Sequence, residues 1–507
     1  MVRECLMFSR ILIANRGEIA VRVIRACREL GIESIAVYSD ADASAMHTTL
    51  ATRAVRIGPA PAADSYLSVD AILEAARSAG ADAIHPGYGF LSENPRFVAA
   101  CTAAGVTFIG PPAEAIEKMG SKISARAVAA SAGVPIVPGE TPSDQSDASI
   151  ADAVRHVGFP VLLKPAAGGG GIGMKTIRDD STLLPLIAQA RREATAAFGN
   201  GTLYVERLVE RPRHVEFQIL ADQHGNVVHV FERECSIQRR HQKVIEESPS
   251  PALTPDLRRR MGDAAVAVAR AAGYSNAGTI EFLLDTSHET PRFYFLEMNT
   301  RLQVEHPVTE QVVGIDLVRA QIAIAAGEPL PWRQDDLSQR GHAIELRVYA
   351  EDPARDDLPQ AGPLLLYREP NGPGIRVDAG VVEGGEVSVH YDPMVAKLIV
   401  SADTREAALR RAHAALRNYA ILGIRTNIPL LLALLEDPRV VSGDIDTHLL
   451  DDDDRARAAI AEGPPPDTGA IVKAVAEAAA SHSPASAAPS PSHPRHDPWA
   501  TLRGVRV

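Results

Sequence analysis

The first 118 residues alternate between short apolar runs and longer stretches in which apolar residues recur at helical spacing. The short runs predict buried strands, and the spaced stretches predict amphipathic helices, the first with Arg22, Arg25 and Arg28 turned outward. Strand and helix in regular succession are typical of a doubly wound α/β domain. The predicted strands are 11–15, 34–40, 83–85 and 107–109, and the predicted helices are 19–30, 69–78 and 97–104.

Beyond residue 118 the pattern changes to strands of alternating or aromatic character with fewer helices between them. This mixture predicts an α+β organisation for the rest of the chain. Residues 464–507 are rich in Pro, Ala and Ser and predict a disordered tail. The predicted strands are 203–208, 214–220, 279–284 and 292–298, with one more ending at Lys164 and one starting at Met174, and the predicted helices are 122–132, 257–272, 314–326 and 404–419.

The bulk composition excludes several classes of protein. The 507 residues are 46% apolar and 23% charged, which suits a globular protein of about three domains. A net charge of −12 argues against nucleic acid as the main partner. The four cysteines form no CxxC pair, and the longest apolar run, near residues 430–435, cannot span a bilayer. We therefore expect a cytoplasmic protein that has no membrane partner.

The first βαβ unit does not match a dinucleotide-binding site. It has only Gly17 where such a site needs GxGxxG, so a nicotinamide dehydrogenase is disfavoured.

Two glycine-rich loops follow predicted strands. The loop HPGYGFLSEN, residues 85–94, lies where sites of open α/β sheets usually lie. In KPAAGGGGIGM, residues 164–174, glycine N–H groups could close over phosphate oxygens beside Lys164, and a flexible hairpin tip is the alternative.

The segment 279–309 carries the strongest chemical signal. In its second strand Glu297 and Asn299 project to the same face, and Glu281 lies in the first strand. Carboxylate and amide oxygens suit Mg²⁺, with a solvated hairpin as the alternative. If the chain stays extended, the same parity continues through Arg301, Gln303 and Glu305.

Two further groups of charged residues precede and follow this segment. Arg239, Arg240, His241 and Lys243 cluster before Glu246 and Glu247, which suits anion binding, although a solvated surface run is also possible. Arg347 lies between apolar neighbours in a predicted strand, where an arginine is costly unless it is paired.

With these residues together, the chain resembles the biotin carboxylase component of acyl-CoA carboxylases, a member of the ATP-grasp superfamily. The motifs that carry the resemblance are IANRGEIA, HPGYGFLSEN, KPAAGGGGIGM, RHVEFQ, CSIQRRHQKVIEESP, FLEMNTRLQVEHPVTE and HAIELRVYAEDP. The resemblance implies an N-terminal α/β domain at 1–118, an ATP-grasp domain at 119–335 with its lid at about 136–208, and a β-rich C-terminal domain at 336–455. It also implies that ATP and bicarbonate form carboxyphosphate, which carboxylates N1′ of biotin.

The resemblance also assigns roles to individual residues. ATP would be bound by Lys122, Lys164, Gly168, Gly169, Gly170, Gly171, Glu206, Arg207, Leu208, Val209, His214, Gln238 and His241. Mg²⁺ or Mn²⁺ would be held by Glu281, Glu297 and Asn299, of which the two carboxylates also face the nucleotide. Bicarbonate would be bound by Lys243, Arg301, Gln303 and Val304, with Glu305 as its general base. Arg347 would stabilise the enolate of biotin.

The sequence departs from the family pattern at three points. Ile172 stands in the glycine flap where relatives usually have Arg or Lys, and Arg207 replaces the usual Lys. No Ala/Val-Met-Lys-Met biotinyl motif occurs, so we expect the biotin carrier to be a separate polypeptide, unless the chain is a truncated relative.

The expected partners follow from the same resemblance. They are a biotin carboxyl carrier, the carboxyltransferase of the complex, and a second copy in a homodimer or larger complex. We expect the acceptor to be acetyl-CoA or propionyl-CoA, in fatty acid biosynthesis. A biotin carboxylase serving pyruvate or urea and a non-catalytic nucleotide-binding protein remain the alternatives.

Overall fold

Three sheets of five, four and eight strands carry most of the fold in the computed structural model, which describes residues 8–166 and 172–450. The predicted glycine flap 168–171 and the predicted tail 464–507 lie outside the described residues. Among the helices of the described part, none is both long enough and apolar enough to cross a membrane.

The N-terminal part is a five-stranded parallel sheet with helices on both faces. Its elements are β1 (Arg10–Ile13), α1 (Gly17–Glu29), β2 (Glu33–Ser39), α2 (Met46–Leu50), β3 (Arg53–Gly58), α3 (Val69–Ala79), β4 (Ala83–His85), α4 (Pro95–Ala103), β5 (Thr107–Phe108) and α5 (Ala113–Gly120). Helix α1 covers Ile11 and Ile13, and helices α3 and α4 cover Leu12 on the opposite face. The strand order β3-β2-β1-β4-β5 reverses at β1, which confirms the doubly wound prediction.

A smaller sheet of order β6-β9-β7-β8 follows. Its elements are α6 (Lys122–Ser131), β6 (Gly139–Glu140), α7 (Asp147–Val157), β7 (Val161–Pro165), β8 (Lys175–Ile177), α8 (Leu183–Phe198) and β9 (Leu203–Arg207). Helices α7 and α8 bury Leu163 and Val205. Because side chains alternate along a strand, Lys164 and Glu206 lie on the other face of this sheet.

The remaining elements build one large antiparallel sheet and its cover. They are β10 (Pro212–Ala221), β11 (Val227–Arg239), β12 (Gln242–Ser248), α9 (Pro255–Ala272), β13 (Asn276–Asp285), β14 (Arg292–Asn299), α10 (His306–Val313), α11 (Leu317–Ala325), β15 (His342–Tyr349), β16 (Glu351–Asp352), β17 (Leu358–Pro359), β18 (Gly362–Pro363), β19 (Leu366–Arg368), β20 (Ile375–Ala379), β21 (Glu386–Val387), β22 (Met394–Ala402), α12 (Arg405–Arg417), β23 (Ala420–Leu422), α13 (Ile428–Glu436) and α14 (Pro438–Ser442).

The large sheet has eight strands in the order β14-β13-β10-β11-β12-β15-β22-β20. The pairing of β12 with β15, in which Ile245 faces Leu346 and Glu246 faces Glu345, joins the central and C-terminal parts. On the C-terminal half, Leu346 and Val348 pack under α12 and α13. Arg347 therefore projects from the opposite face.

The condition set for Arg301, Gln303 and Glu305 is not met, because β14 ends at Asn299 and α10 begins directly after Glu305. The helix predicted at 314–326 is α11, but its predicted start is wrong by three residues. Gly314 ends the preceding helix α10 with φ +78°, and α11 begins at Leu317.

The outward orientation predicted for Arg22 is also wrong. Its side chain is buried, and its Nη2 lies 2.9 Å from Glu310 Oε1 and 2.7 Å from Asp316 Oδ1. Helix α1 thus packs against the sheet on one side and against α10 and α11 on another. The helical spacing of apolar residues identifies only the side of α1 that faces the sheet, because Arg22 contacts α10 and α11 through ion pairs.

Arg233 ties three strands and α10 together. Its fully buried guanidinium donates to Glu216 Oε1 at 2.6 Å and Gln218 Oε1 at 2.8 Å. It also donates to Thr309 Oγ1 at 3.0 Å and Thr279 Oγ1 at 3.1 Å. A buried arginine is tolerated when its donors are used in this way.

The variant Arg233→Met should lower the free energy of unfolding by about 3–5 kcal/mol, because a buried carboxylate loses a cation and three oxygens lose a donor. Urea unfolding followed by circular dichroism measures the change. The control Arg178→Met removes an ion pair to Glu210 in which both side chains are more than half exposed, and should leave the midpoint unchanged. Equal effects of the two substitutions would contradict the structural role given to Arg233.

Candidate active site

The predicted metal residues lie together, Glu281 in the middle of β13 and Glu297 and Asn299 at the end of β14. Glu281 and Glu297 are direct cross-strand partners, and Asn299 pairs with Thr279. Asn299 Nδ2 donates to Glu281 Oε1 at 2.7 Å. Glu281 is only 4% exposed, so the solvated-hairpin alternative does not describe this pair.

Lys243 on β12 is the central cation of the cluster. Its Nζ lies 2.6 Å from Glu216 Oε2, 2.6 Å from Glu305 Oε1 and 3.0 Å from Glu281 Oε1. Burial acts to lower the pKa of Lys243, but these carboxylates raise it well above its ordinary value. The side chain is therefore a permanent ammonium group at the centre of the site.

Glu305 is held between two cations. Lys243 contacts its Oε1, and Arg347 Nη2 donates to its Oε2 at 2.9 Å. Burial acts to raise the pKa of Glu305, but Lys243 and Arg347 together bring it well below the usual range. The carboxylate is consequently ionised and fully buried at neutral pH.

Arg347 is paired with carboxylates, as expected for an arginine between apolar neighbours in a strand. Its Nε donates to Glu246 Oε1 at 2.6 Å, and its Nη2 donates to Glu305. Burial, opposed by Arg347 and reinforced by Glu305, raises the pKa of Glu246 to about 7. The surface-run alternative for residues 235–251 is therefore wrong at Lys243 and Glu246, although Arg240 and His241 at the hairpin tip are exposed.

Arg301 and Gln303 lie on the loop between β14 and α10. Arg301 Nη1 donates to Gln303 Oε1 at 2.8 Å, and Gln303 Nε2 lies 3.4 Å from Glu281 Oε1. The carbonyl of Val304 accepts from the fully buried Lys397 at 2.6 Å. The loop thus brings a guanidinium, an amide and backbone groups beside Glu305.

A second group of predicted residues faces the acidic pair from the small sheet. Lys164 Nζ lies 2.5 Å from Glu206 Oε2, and Arg126 binds the other oxygen of Glu206. Burial lowers the pKa of Lys122, against the attraction of Glu297, and Lys164 lowers it further. Three basic groups therefore lie on the side of the site that is bounded by β7 and β9.

The other residues predicted to bind the nucleotide differ in their partners and in their burial. His214 Nε2 lies 3.1 Å from Glu281 Oε2, and Gln238 is the cross-strand partner of Lys243. The N–H groups of Arg207 and Leu208 donate to the carbonyls of Pro138 and Pro160, so a ligand would meet other groups of the 207–209 segment. Arg207 Nη2 donates to Tyr294 Oη at 2.9 Å. Val209 is largely buried, and Ile172 is exposed.

Five residues of the cluster were not predicted as functional candidates from the sequence. Glu216 and Arg233 lie behind Lys243, Glu246 lies behind Arg347, Lys397 holds the 304 carbonyl, and Glu93 contacts Arg301. Usable signals existed for two of them. Glu216 shares the strand parity of His214, and Glu93 belongs to the loop 85–94, which lies where sites of open α/β sheets usually lie.

Three sequence-family models match the chain in succession. They are the biotin carboxylase N-terminal domain over residues 7–116, the carbamoyl-phosphate synthase L chain ATP binding domain over residues 121–333, and the biotin carboxylase C-terminal domain over residues 345–452.

Curated proteins are similar over most of the chain. The biotin carboxylase of Halalkalibacterium halodurans is 53% identical over 441 residues, which cover 87% of this chain and 97% of that protein. A pyruvate carboxylase component of Methanothermobacter thermautotrophicus is 51% identical over 449 residues, which cover 88% of this chain and 90% of that protein.

A solved structure is similar in fold as well. It is the biotin carboxylase domain dimer of Hydrogenobacter thermophilus 2-oxoglutarate carboxylase, in complex with MgADP, ADP and bicarbonate. The TM-score is 0.85 at 45% identity, over 89% of this chain and 99% of that chain.

The variant Lys243→Met should lower the free energy of unfolding by about 3–5 kcal/mol at pH 8, because Glu216, Glu281 and Glu305 lose their shared cation. Lys243 lowers the folded-state pKa of Glu281 and Glu305, so its stabilisation is present above their ordinary value of 4.5 and is lost as the pH falls through the folded values. In the wild type this stabilisation is therefore constant between pH 8 and pH 5. In the variant, burial acts on the two carboxyls with their main cation removed and raises their folded-state pKa, so that they bind protons as the pH falls. The penalty should therefore shrink as the pH is lowered from 8 toward 5.

Urea unfolding at several pH values, in buffer free of divalent cations, measures this penalty. Lys175→Met is the matched control, because it removes a lysine whose partner Glu193 is more than one-third exposed. It should shift the midpoint little at any pH. A Lys243→Met penalty that stayed constant from pH 8 to pH 5 would contradict the charge assignment.

Proposed function

The chain belongs to the biotin carboxylase family of ATP-grasp ligases, which carboxylate biotin in an ATP-dependent reaction, and from that premise we propose how its residues divide the work. The observation that carries the proposal is Glu305, an ionised buried carboxylate held by Lys243 and Arg347 beside Arg301. Domains at 1–118, 119–335 and 336–455 would each supply part of this site.

Glu281, Glu297 and Asn299 would hold a divalent cation. The fit is favourable, because burial and the neighbouring Glu281 raise the pKa of Glu297. Ionisation of both facing carboxyls is unfavourable without a nearby cation, and a hard divalent cation with oxygen ligands would stabilise both as carboxylates. When bound, Mg²⁺ or Mn²⁺ would neutralise charge on the nucleotide phosphates. The MgADP in the Hydrogenobacter relative is in keeping with this assignment.

ATP would lie between the small sheet and the acidic pair. Lys122 and Lys164 would contact its phosphates, and residues 168–171 would close over them. Glu206 and the 207–209 backbone would bind adenine, and His214, Gln238 and His241 would complete the site. In phosphoryl transfer such groups act by positioning and by neutralising charge.

Bicarbonate would bind beside Arg301, Gln303, the Val304 N–H and Lys243. Glu305 would accept the proton of bicarbonate, and the resulting oxyanion would attack the γ-phosphorus of ATP to give carboxyphosphate and ADP. A carboxylate with a lowered pKa is a weak base. It is however fully ionised, and the adjacent cations stabilise the dianion that proton transfer leaves.

Arg347 would serve the second half of the reaction. Removing the N1′ proton of biotin places negative charge on the ureido oxygen, and a preorganised guanidinium stabilises such a charge without moving. Glu246 would fix the Nε edge of Arg347, leaving the remaining donors for Glu305 and the substrate.

The partner proteins and the final acceptor of the carboxyl group lie outside this site. The biotin carrier, the carboxyltransferase and a homodimer are proposed partners. The acyl-CoA acceptor in fatty acid biosynthesis stays a prediction, since the relatives above include components of pyruvate and 2-oxoglutarate carboxylases. A non-catalytic nucleotide-binding protein is disfavoured, because Glu305, Arg301 and Arg347 would then be buried or half-buried charges without a task.

The wild-type protein should hydrolyse ATP only when bicarbonate is present, and free biotin should raise the rate. Glu305→Gln should lower the turnover roughly 10²–10⁴-fold, because it removes the general base. A coupled assay of ADP release measures both. Glu210→Gln, at an exposed position, should behave as the wild type. ATP turnover that ignored bicarbonate with Mg²⁺ saturating would contradict the proposed function.

Purification from the native cell should recover a biotinylated protein with this chain, because the reaction needs carried biotin. An avidin blot and mass spectrometry identify the carrier and any carboxyltransferase, and the latter decides between acyl-CoA, pyruvate and urea. A tag-only purification is the control. Recovery of the chain with no biotinylated protein under mild conditions would count against a separate carrier.

A further inference from the structure

Glu93 reaches the anion-binding loop from the N-terminal sheet. Its Oε1 accepts from the Thr300 N–H at 2.9 Å and from Thr300 Oγ1 at 3.1 Å. Its Oε2 accepts from Arg301 Nε at 2.9 Å. These contacts join residues more than 200 positions apart, and no role assigned above uses Glu93.

The loop that carries Glu93 is held from both sides. Asn15 Nδ2 donates to the carbonyls of Pro86 and Tyr88, each at 2.7 Å. On the far side, Asn94 Oδ1 accepts from two N–H groups of the first turn of α4. Ser92 is also buried. The backbone of Glu93 is therefore fixed independently of the anion site.

The remaining nitrogens of Arg301 have weaker or more local partners. Nη1 donates to Gln303 Oε1 at 2.8 Å, and Nη2 lies 3.4 Å from Asn299 Oδ1. The guanidinium is a rigid planar fork of donors, so a hydrogen bond that fixes its Nε edge also restricts the direction of the other donors. Within residues 8–166 and 172–450, Glu93 supplies the hydrogen bond and ion pair that reach Arg301 from the N-terminal sheet, whereas the other hydrogen-bond partners of Arg301 lie within two residues of it.

We propose that Glu93 is a positioning residue that orients the Arg301 guanidinium toward bicarbonate. The proposal rests on the proposed function, in which Arg301 binds that anion. Glu93 does not touch the substrate. It fixes the Nε edge of Arg301, so that the donors on the other nitrogens meet the anion without a loss of rotamer freedom on binding.

Glu93 has an opposing effect, because its negative charge repels an anion. Its side chain is 39% exposed, so water and salt screen this repulsion. Orientation of the guanidinium is not screened in the same way, because it depends on the direction of the hydrogen bond. The net effect of Glu93 on bicarbonate binding should therefore be favourable.

Glu93→Gln is the most specific probe. The amide oxygen can still accept from Thr300, but the amide NH₂ would face the Nε–H of Arg301 as a second donor. The KM for bicarbonate should rise about tenfold, the size expected for one charge-assisted hydrogen bond. The kcat and the KM for ATP should stay within about threefold of the wild type, since chemistry and nucleotide binding use other residues.

Two controls separate positioning from a general loss of structure. Asp40→Asn removes a carboxylate from the Nε and Nη2 of Arg56 in the same N-terminal sheet, far along the chain from Arg301, and should leave all kinetic constants unchanged. In an Arg301→Lys background, Glu93→Gln should have no further effect, because the guanidinium that it orients is absent. Urea midpoints of all variants should match.

The outcomes are distinguishable. An unchanged KM for bicarbonate in Glu93→Gln, with wild-type turnover dependent on bicarbonate, would overturn this inference alone. A lowered KM would do the same and would identify Glu93 as a competitor for Arg301. Wild-type turnover that ignored bicarbonate would overturn the proposed function and this inference with it.

Discussion

The contact of Lys243 with three carboxylates is the constraint on which the central site depends. Glu216 and Glu281 are cross-strand partners on β10 and β13, Lys243 comes from β12, and Glu305 precedes α10. Buried carboxylates are stable as anions only beside a cation and hydrogen-bond donors. A slip of one residue in either ladder would turn a charge into the apolar core. Correct strand register and charge pairing therefore require each other.

The same sheet continues into the C-terminal part and places a second cation on Glu305. In the β12–β15 ladder Glu246 faces Glu345, and Arg347 lies two residues farther along the same face. Arg347 can thus reach both Glu246 and Glu305, while its apolar neighbours pack under α12. One ladder therefore joins the bicarbonate residues to the proposed biotin residue, and their separation cannot drift as it could across a flexible interface.

Local sequence was enough for some of the site. Strand parity placed Glu297 and Asn299 on one face, and the apolar neighbours of Arg347 indicated that it must be paired. The partners of Glu216, Glu246 and Glu93 lie 27, 101 and 208 positions away, where spacing carries no information. Arg22 shows the same limit, since a polar residue on a helix can face solvent or a buried carboxylate. The α/β architecture followed from periodicity, whereas the turn after Asn299 and the short helix α10 after Glu305 depend on tertiary contacts.

Two carboxyls near the site have raised pKa values but different surroundings. Burial raises the pKa of Glu345 well above its usual range, and both its oxygens lack a hydrogen-bond partner within residues 8–166 and 172–450. Burial also raises the pKa of Glu297, but this side chain is half-buried and faces Lys122. A divalent cation could reach Glu297 and would favour its ionised form, whereas Glu345 is fully buried beside Arg347. Binding of the cation should therefore act on Glu297, while Lys243 and Arg347 keep Glu305 ionised on the bicarbonate side.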